Sequence, residues 1–218
     1  MIWTKAAIDQ DSVIFSDGIV AFIMKTVPNA DFLIAETPVS QALWSAIMGS
    51  NPSEGIIDSS FPVCNVNYPM AMDFIGRLNE ATGAGFRLPT ADEWELAAKC
   101  GDKKYPYQYT GTDDFGALKT DRAPVKKYAP NEIGLYCLTG NVMEWTETAI
   151  MIPLDRGAVL AKKLGLPLKE EPQYRKERIL KGGSSAHGEY TSHIYDKNHY
   201  LDDYRNSLTG LRLAMDRQ

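Results

Sequence analysis

Hydrophobic and polar residues alternate in short runs along the first part of the chain. Residues 11–35 read "DSVIFSDGIVAFIMKTVPNADFLIA", in which apolar runs are separated by Asp-Gly and Pro-Asn pairs. Apolar runs of this length, bounded by turn-forming residues, are typical of β-strands. The stretch therefore predicts several strands joined by turns.

Three later segments have the apolar period of an α-helix. In "SQALWSAIMGS", Ser40 is the predicted N-cap and Gly49 ends the helix. In "MAMDFIGRLNEATG", apolar residues recur at every fourth position from Met70, and a glycine follows the last turn. In "RLPTADEWELAAKCG", Thr90 and Glu93 have the spacing of a capping box, in which the hydroxyl and the carboxylate each accept a free backbone N–H.

Beyond residue 101 the helical period is almost absent. The segments "YPYQYTGTDDFGA" and "APVKKYAPNEIGLYCLTGNVMEW" are rich in Gly, Pro, Asn and aromatic residues, and they predict long ordered loops with short strands. The segments "RILKGG" and "GLRLAMD" each predict a core strand. Residues 153–178 contain few large apolar side chains, and they predict a solvated excursion rather than a second domain.

Composition restricts the classes of function. With 218 residues, of which 44% are apolar, the chain predicts a single packed domain over residues 1–218. A net charge of −5 argues against non-specific binding of nucleic acid. No apolar run is long enough to span a membrane, and "MIWTKAAIDQDSVIF" lacks the basic and apolar regions of a signal peptide. We therefore expect no nucleic acid as partner and no membrane insertion.

The cysteines give no sign of a disulfide framework or a metal site. Cys64, Cys100 and Cys137 are far apart and odd in number, without Cys-x-x-Cys spacing. We expect buried, unreactive thiols. No cysteine accompanies the histidines of the chain, which all lie further on.

One stretch has an unusual composition. Residues 187–206, "HGEYTSHIYDKNHYLDDYRN", contain all three histidines and four of the eleven tyrosines, and fourteen of the twenty are His, Tyr, Asp, Asn, Ser or Thr. A metal site is one interpretation, although the six-residue spacing of the histidines matches no familiar zinc pattern. Acid–base catalysis is a second interpretation, although nothing marks a nucleophile. A solvated loop is a third, and a binding surface is a fourth, because exposed tyrosines without a use are costly.

Six segments of the chain resemble the formylglycine-generating-enzyme (sulfatase-modifying-factor) family. They occur in that family's order and approximate spacing, over nearly the whole chain. The resemblance implies an α+β, C-type-lectin-like fold of the formylglycine-generating-enzyme type, with low regular secondary structure, long ordered loops and a compact core. The segments are "ETPVSQALWSAIMGSNPS", "FPVCNVNY", "GFRLPTADEWELAAKCG", "YAPNEIGLYCLTGNVMEWT", "ILKGGSS" and "GLRLA".

The enzymes of this family resemble one another in two cysteines shortly after the "GGS" motif, whose thiolates bind copper(I) and activate oxygen. Aligned from Gly182, the two positions fall near His187 and Ser192, and no cysteine follows Cys137. We therefore expect no oxidase activity, and the chain is predicted not to be an enzyme and to have no cofactor.

A calcium site is also common in the family, around the motif written here "CLTGNVMEW". The resemblance implies that its ligands would be the Glu144 carboxylate, the carbonyls of Gly140 and Val142, and a side-chain oxygen at the position of Cys137. Calcium prefers oxygen ligands, and the thiol of Cys137 would replace one of them. A calcium site near Glu144 is therefore one of two interpretations of this motif. The other is that Glu144 accepts hydrogen bonds from buried backbone N–H groups and that Trp145 belongs to the core.

The unusual stretch also resembles the variable region of diversity-generating-retroelement target proteins, in which adenine positions are randomised. The Asn codon AAC then gives Tyr, His, Asp, Ser, Thr or Ile without a stop codon, and most of the stretch belongs to this set. In similar lectin-fold proteins the region runs from the "GGS" motif to the last strand, here approximately Gly182 to Ala214. Tyrosine with small polar residues is also the composition of antibody paratopes.

The sequence therefore predicts a non-enzymatic binding protein with a diversified surface, of the variable-protein kind. The expected partner is an unknown protein or glycan receptor on a cell surface. The expected location is a virion or a cell surface, with a cytoplasmic location as the alternative. The alternative function is that of an inactive or unconventional member of the formylglycine-generating-enzyme family.

Within the variable region we distinguish a fixed frame from displayed side chains. The glycines of the "GGS" motif, Gly210 and Arg212 are expected to form the frame, and Ile194 and Leu201 are expected to be packing anchors. The predicted ligand-binding side chains are His187, Tyr190, Ser192, His193, Tyr195, Asp196, Asn198, His199, Tyr200, Asp202, Tyr204 and Asn206.

Overall fold

The first part of the chain forms four strands, three of which lie in the stretch of residues 11–35 that predicted them, whereas the first precedes it and was not predicted. In the computed structural model, which describes residues 2–114, 116 and 120–217, each strand pairs antiparallel with the one before it. Tight turns separate them, and the Asp17 carboxylate accepts the backbone N–H groups of Ile19 and Val20 in one of these turns. The four strands are β1 (Thr4–Asp9), β2 (Ser12–Ser16), β3 (Ala21–Thr26) and β4 (Phe32–Ala35).

The three predicted helices are confirmed as α1 (Gln41–Met48), α2 (Tyr68–Thr82) and α3 (Ala91–Ala98). The side chain of Ser40 accepts the backbone N–H of Leu43, and both bonds of the Thr90 capping box are present. Glycines in the left-handed conformation follow α1 and α2, as C-terminal caps require. The local capping signals therefore placed these helices correctly.

Two sheets form the framework around these helices. The first, in the order β1-β2-β3-β4-β10-β5, adds β5 (Phe86–Arg87) and β10 (Ala214–Asp216) to the initial strands. The second sheet has the order β8-β7-β6-β9, and β9 is parallel to β6. Its strands are β6 (Met143–Pro153), β7 (Tyr174–Lys181), β8 (Asn198–Tyr200) and β9 (Thr209–Leu211).

The segment "GLRLAMD" is not one strand, as the sequence predicted, but two. β9 belongs to the second sheet and β10 to the first. Arg212 and Leu213 lie between them and are fully buried. The chain therefore passes from one sheet to the other at Arg212.

Residues 153–178 leave the body of the protein as a ribbon. The outer halves of β6 and β7 pair with each other, and α4 (Arg156–Lys163) lies between the two strands along the chain. The structure agrees with the predicted solvated excursion, because no residue of α4 is buried. The sequence analysis missed the helix and the length of the two strands.

The core divides into two clusters of buried side chains. The larger one packs the first sheet against α1 and α2, with Trp44 stacked on Phe74, and it includes Trp145. The smaller one surrounds Trp94 of α3 and includes Ile194 from the unusual stretch. Within the described ranges, no helix is both long enough and apolar enough to cross a membrane.

Candidate functional site

A buried ion pair lies at the base of the variable region. Arg212 and Glu144 are both inaccessible to solvent, and two nitrogens of the guanidinium donate to the carboxylate oxygens at 2.9 and 2.8 Å. Trp94 Nε1 donates to the same carboxylate. The remaining guanidinium donors reach backbone carbonyls, those of Ala35, Glu36 and Tyr136. The pair therefore joins β6 to the point where the chain changes sheets.

This arrangement does not fit calcium. Both carboxylate oxygens of Glu144 already accept hydrogen bonds, and a guanidinium cation lies directly against them. Cys137 Sγ is 3.4 Å from the carbonyl of Val125 and accepts from the side chain of Asn141 at the same distance. The alternative interpretation is wrong for Glu144, because its described hydrogen-bond donors are side chains and not backbone N–H groups. It is right for Trp145, which is buried in the core as predicted.

The frame glycines are required by close packing. Gly182 has φ +92°, and a Cβ there would lie 2.9 Å from the carbonyl oxygen of Leu138 and 3.1 Å from the Trp94 ring. A Cβ at Gly210 would lie 2.7 Å from the carbonyl oxygen of Val63. Any larger residue at either position would push apart elements that meet at the base of the variable region.

Lys181, the last residue of β7, is buried beside these glycines. Its Nζ donates to the carbonyl oxygens of Ile194 and Asp196 at 2.6 and 2.8 Å, and lies 3.4 Å from the Glu95 carboxylate. Burial lowers the pKa of Lys181 to about 8, although Glu95 opposes this shift. Lys181 therefore holds the main chain in the middle of the unusual stretch from its buried side.

The unusual stretch is held mainly through its main chain. β8 pairs with β7, so its backbone completes an edge of the second sheet. Tyr109 Oη donates to the carbonyl of Glu189, and the N–H of Ile194 donates to the carbonyl of Gln108. The N–H groups of Tyr68 and Asn65 donate to the carbonyls of Asp202 and Asn206, respectively. These bonds do not depend on which side chains the stretch carries.

One group of its side chains lies near α3. Tyr190 is 83% exposed and Tyr195 is 46% exposed, and Lys99 Nζ lies 4.1 Å from the centre of the Tyr195 ring. The ring of His193 stacks on Tyr109 with centres 4.9 Å apart. His193 and Tyr195 therefore rest on fixed residues, and the rings of Tyr190 and Tyr195 remain accessible.

A second group lies near α2. Tyr200 and Tyr204 stack with ring centres 3.9 Å apart, and both are half-buried against the main core. Asp202 pairs with Arg178 at 3.3 Å, and Arg178 lies over the ring of Tyr68. Since His199 and Tyr200 are consecutive in β8, they project to opposite faces of the sheet. The side chains of the stretch therefore make two sets of contacts, one with Lys99 and Tyr109 and the other with Arg178 and the main core.

The three histidines have separate partners. His187 Nδ1 is hydrogen-bonded to Ser184 Oγ, and burial lowers the pKa of His187. His193 Nδ1 lies 3.2 Å from the Asp196 carboxylate. His199 is hydrogen-bonded to the buried carboxylate of Glu177. This bond and the nearby Arg175 lower the pKa of Glu177, although burial acts in the opposite direction. In the part of the chain that the structure describes, no three His, Cys, Asp or Glu residues come together to hold a metal ion.

Two assignments made from the sequence are wrong. Ser192, predicted as a ligand-binding side chain, is 1% exposed and packs against Gly183, so it belongs to the frame. Leu201, predicted as an anchor, is 43% exposed, whereas Ile194 is buried and confirms its predicted role. Because serine is polar, the sequence predicted that the Ser192 side chain would be displayed. In the structure it is instead buried in close contact with Gly183.

The three cysteines lie outside the segment in which the resemblance places the family's cysteine pair. Cys64 is buried as predicted, while Cys100 and Cys137 are partly accessible. Burial and the Glu132 carboxylate raise the pKa of Cys100 to about 12, and burial raises the pKa of Cys137. These two thiols are therefore held in the protonated, less reactive form.

Fixed residues around the stretch were missed by the sequence analysis. They share a role, because each contacts the stretch from another part of the chain, and except for Arg178 of β7 they lie in loops and helices far from it in sequence. Only the aromatic-rich composition around residue 109 gave a signal that could have found one of them. They are Asn65, Tyr68, Lys99, Gln108, Tyr109 and Arg178.

Comparisons with known proteins agree with this architecture. A family model described as the sulfatase-modifying factor enzyme 1-like domain matches residues 11–217. The chain is 33% identical over 153 residues to the formylglycine-generating enzyme of Thermomonospora curvata, covering 57% of this chain and 46% of that protein. It is 33% identical over 131 residues to the inactive C-alpha-formylglycine-generating enzyme 2 of Bos taurus, and this match covers 50% of this chain and 40% of the bovine protein. The chain thus matches less than half the length of either relative.

A solved structure is similar over nearly its whole length. Variable protein 1 of Treponema denticola has a TM-score of 0.74 and 26% identity, and the match covers 94% of this chain and 99% of that one. The predicted α+β fold of the formylglycine-generating-enzyme type and the predicted similarity to variable proteins are therefore confirmed.

Proposed function

The chain belongs to the sulfatase-modifying-factor family, and we propose that it is a binding protein with a diversified surface rather than an enzyme. The observation that carries this proposal is the main-chain support of residues 187–206. Carbonyl and N–H groups hold the stretch in place, while Tyr190 and Tyr195 present their rings to solvent. A surface held in this way keeps its shape when its side chains change.

The chemistry of the exposed side chains suits protein or glycan recognition. Tyrosine gives a large contact area at low cost in conformational entropy, and Asp, Asn and Ser add adaptable hydrogen bonds. Lys99, beneath Tyr195, supplies a fixed cation beside a variable ring. We infer that the partner is a receptor on a cell surface, met by a virion or by another cell surface that carries this protein.

The absence of the family's cysteine pair supports a role other than oxidation. No cysteine follows Cys137, and the described thiols lie outside the region in which the pair would occur. A second candidate is therefore an inactive member of the enzyme family, favoured by the similarity to the inactive bovine protein. The two candidates differ in whether residues 187–206 vary between individuals.

Sequencing this gene from many isolates tests the proposal. We expect substitutions in the codons of Tyr190, Tyr195 and His199, at positions that are adenines in the template copy, and none in the codons of Lys181 and Arg212. A reverse transcriptase gene beside a near-copy of the coding end would accompany them. Variation spread evenly along the gene would contradict diversification and favour the inactive-enzyme alternative.

Activity is tested separately. Copper-loaded protein, incubated with a sulfatase-motif peptide and oxygen, should leave the substrate cysteine unchanged, because no thiolate pair is present. The formylglycine-generating enzyme of Thermomonospora curvata is the positive control. Mass-spectrometric detection of formylglycine with this protein would overturn the non-enzymatic assignment.

A further inference from the structure

The outer part of the ribbon, taken here as residues 151–176 and again called the excursion, exposes apolar side chains that no other described element covers. Every described leucine that is more than half exposed lies in it. Met151 and Tyr174 are also exposed. Single exposed apolar residues are ordinary, but a group in one excursion marks an interaction surface. The leucines are Leu154, Leu160, Leu164 and Leu166.

The helix of this excursion is amphipathic and does not pack on the core of the protein. Leu160 and Leu164 are four residues apart, so they lie on the same face of the helix, and each is more than half exposed. Lys162 and Lys163 occupy the last turn, and Lys162 Nζ lies 2.6 Å from the Glu171 carboxylate of the same excursion. Asp155 caps the first turn through its side chain, so the helix is well formed without packing on the core.

The charge of the excursion is opposite to that of the rest of the chain. Residues 151–176 contain six Lys or Arg and three Asp or Glu, a net charge of +3. Since the whole chain carries −5, the remaining residues carry −8. An anionic surface would therefore attract the excursion and repel the body, which fixes the orientation of approach.

We propose that the excursion docks on an anionic membrane surface, with its leucines among the lipid headgroups and its basic side chains against anionic lipids. Amphipathic helices with leucine on one face and lysine on the other lie in this interface. The contact is peripheral and needs no spanning segment. A symmetric contact between two copies is less favourable, because it would bring two surfaces of like charge together. This proposal is independent of the function assigned to residues 187–206.

Co-sedimentation with lipid vesicles tests the proposal on the full chain. The protein should bind phosphatidylcholine vesicles that contain phosphatidylserine, and should not bind phosphatidylcholine alone. Raising the salt concentration should weaken binding, because the attraction between the lysines and the anionic lipids is screened. Absence of binding to the phosphatidylserine vesicles at low salt would overturn the proposal.

Paired substitutions identify the residues responsible. The double change Leu160→Asp and Leu164→Asp should abolish binding, since a buried leucine contributes about 10-fold or more. Lys162→Gln and Lys163→Gln together should weaken binding by about 5-fold for each lysine. The matched control is Lys103→Gln with Lys104→Gln, a second pair of exposed neighbouring lysines outside the excursion, and it should bind like the unchanged protein.

Two further results would overturn the proposal. Equal losses in the two lysine pairs would indicate attraction by general charge and not by the excursion. The second result would come from sedimentation velocity without vesicles. A dimer that is lost when Leu160 and Leu164 are both changed to Asp would show that the leucines contact a second copy of the chain and not a membrane. Circular dichroism of each variant should match the unchanged protein, because all six altered positions are exposed.

Discussion

Arg212 and Tyr195 belong to the same variable region but are held in different ways. Arg212 is fully buried, and its side chain makes its bonds, to Glu144 and to backbone carbonyls. Tyr195 is half exposed, and its neighbours are held by their main-chain carbonyls on Lys181. A position bonded through its side chain tolerates few residues, whereas a position bonded through its backbone tolerates many. The first kind forms a frame, and the second kind allows diversity.

The largest expected effect is at Arg212. Arg212→Met leaves the Glu144 carboxylate buried without its cation, and we expect the free energy of unfolding to fall by about 3–5 kcal/mol. The control is Arg205→Met, because Arg205 is exposed in the same region and should change stability by less than about 0.5 kcal/mol. Urea unfolding measures both. Equal losses would remove the distinction between frame and display.

Lys181→Met is expected to cost about 2–3 kcal/mol, because two buried carbonyls lose a charged donor. The loss should be accompanied by faster hydrogen exchange at the backbone around residues 194–196. Unchanged exchange there would show that Lys181 supports the fold without positioning the stretch.

Lys181 also predicts a pH dependence. Its pKa is lowered to about 8 in the folded protein from 10.5, so between these values the unfolded chain binds more protons than the folded chain. Stability from this group therefore rises as pH increases through that window. Urea unfolding between pH 7 and about 10 should show the unchanged protein gaining stability relative to Lys181→Met, a comparison in which contributions from other groups cancel. A constant difference across this range would contradict the burial of a charged lysine.

The two groups of tyrosines should differ by a smaller amount. Tyr200→Ala removes a ring that stacks on Tyr204 and packs on the core, and we expect a loss of about 1–2 kcal/mol. This corrects the simplest expectation from the sequence, in which all four tyrosines are displayed. Thermal unfolding of Tyr200→Ala beside Tyr190→Ala tests it, and a larger loss at Tyr190 would reverse the assignment.

The smallest effects are expected at Tyr190 and Tyr195. Tyr190→Ala and Tyr195→Ala should each change the free energy of unfolding by less than about 0.5 kcal/mol. Binding to the natural receptor should fall far more, since exposed aromatic residues supply most binding energy in such surfaces. A stability loss above about 1 kcal/mol at either position would place it in the frame.

Most of the fold was predictable because local signals agreed with the tertiary result. Ser40, Thr90 and Glu93 make the capping bonds that their spacing predicts. The opening strands follow from their turns. In contrast, α4 was not predicted, because it spans only eight residues and its apolar face is too short to give a clear helical period. Asp155 caps its first turn.

The sequence by itself determined the three helices α1 to α3, the family, the missing cysteine pair and the composition of residues 187–206, since each is a property of residues close together or of their order. Only the tertiary structure decided that Glu144 meets Arg212, that Ser192 is buried and that neighbouring residues of β8 face opposite sides of a sheet. The reason is that burial and pairing depend on contacts between residues far apart in the chain. Arg212 and Glu144 are 68 positions apart, and no local pattern specifies such a contact.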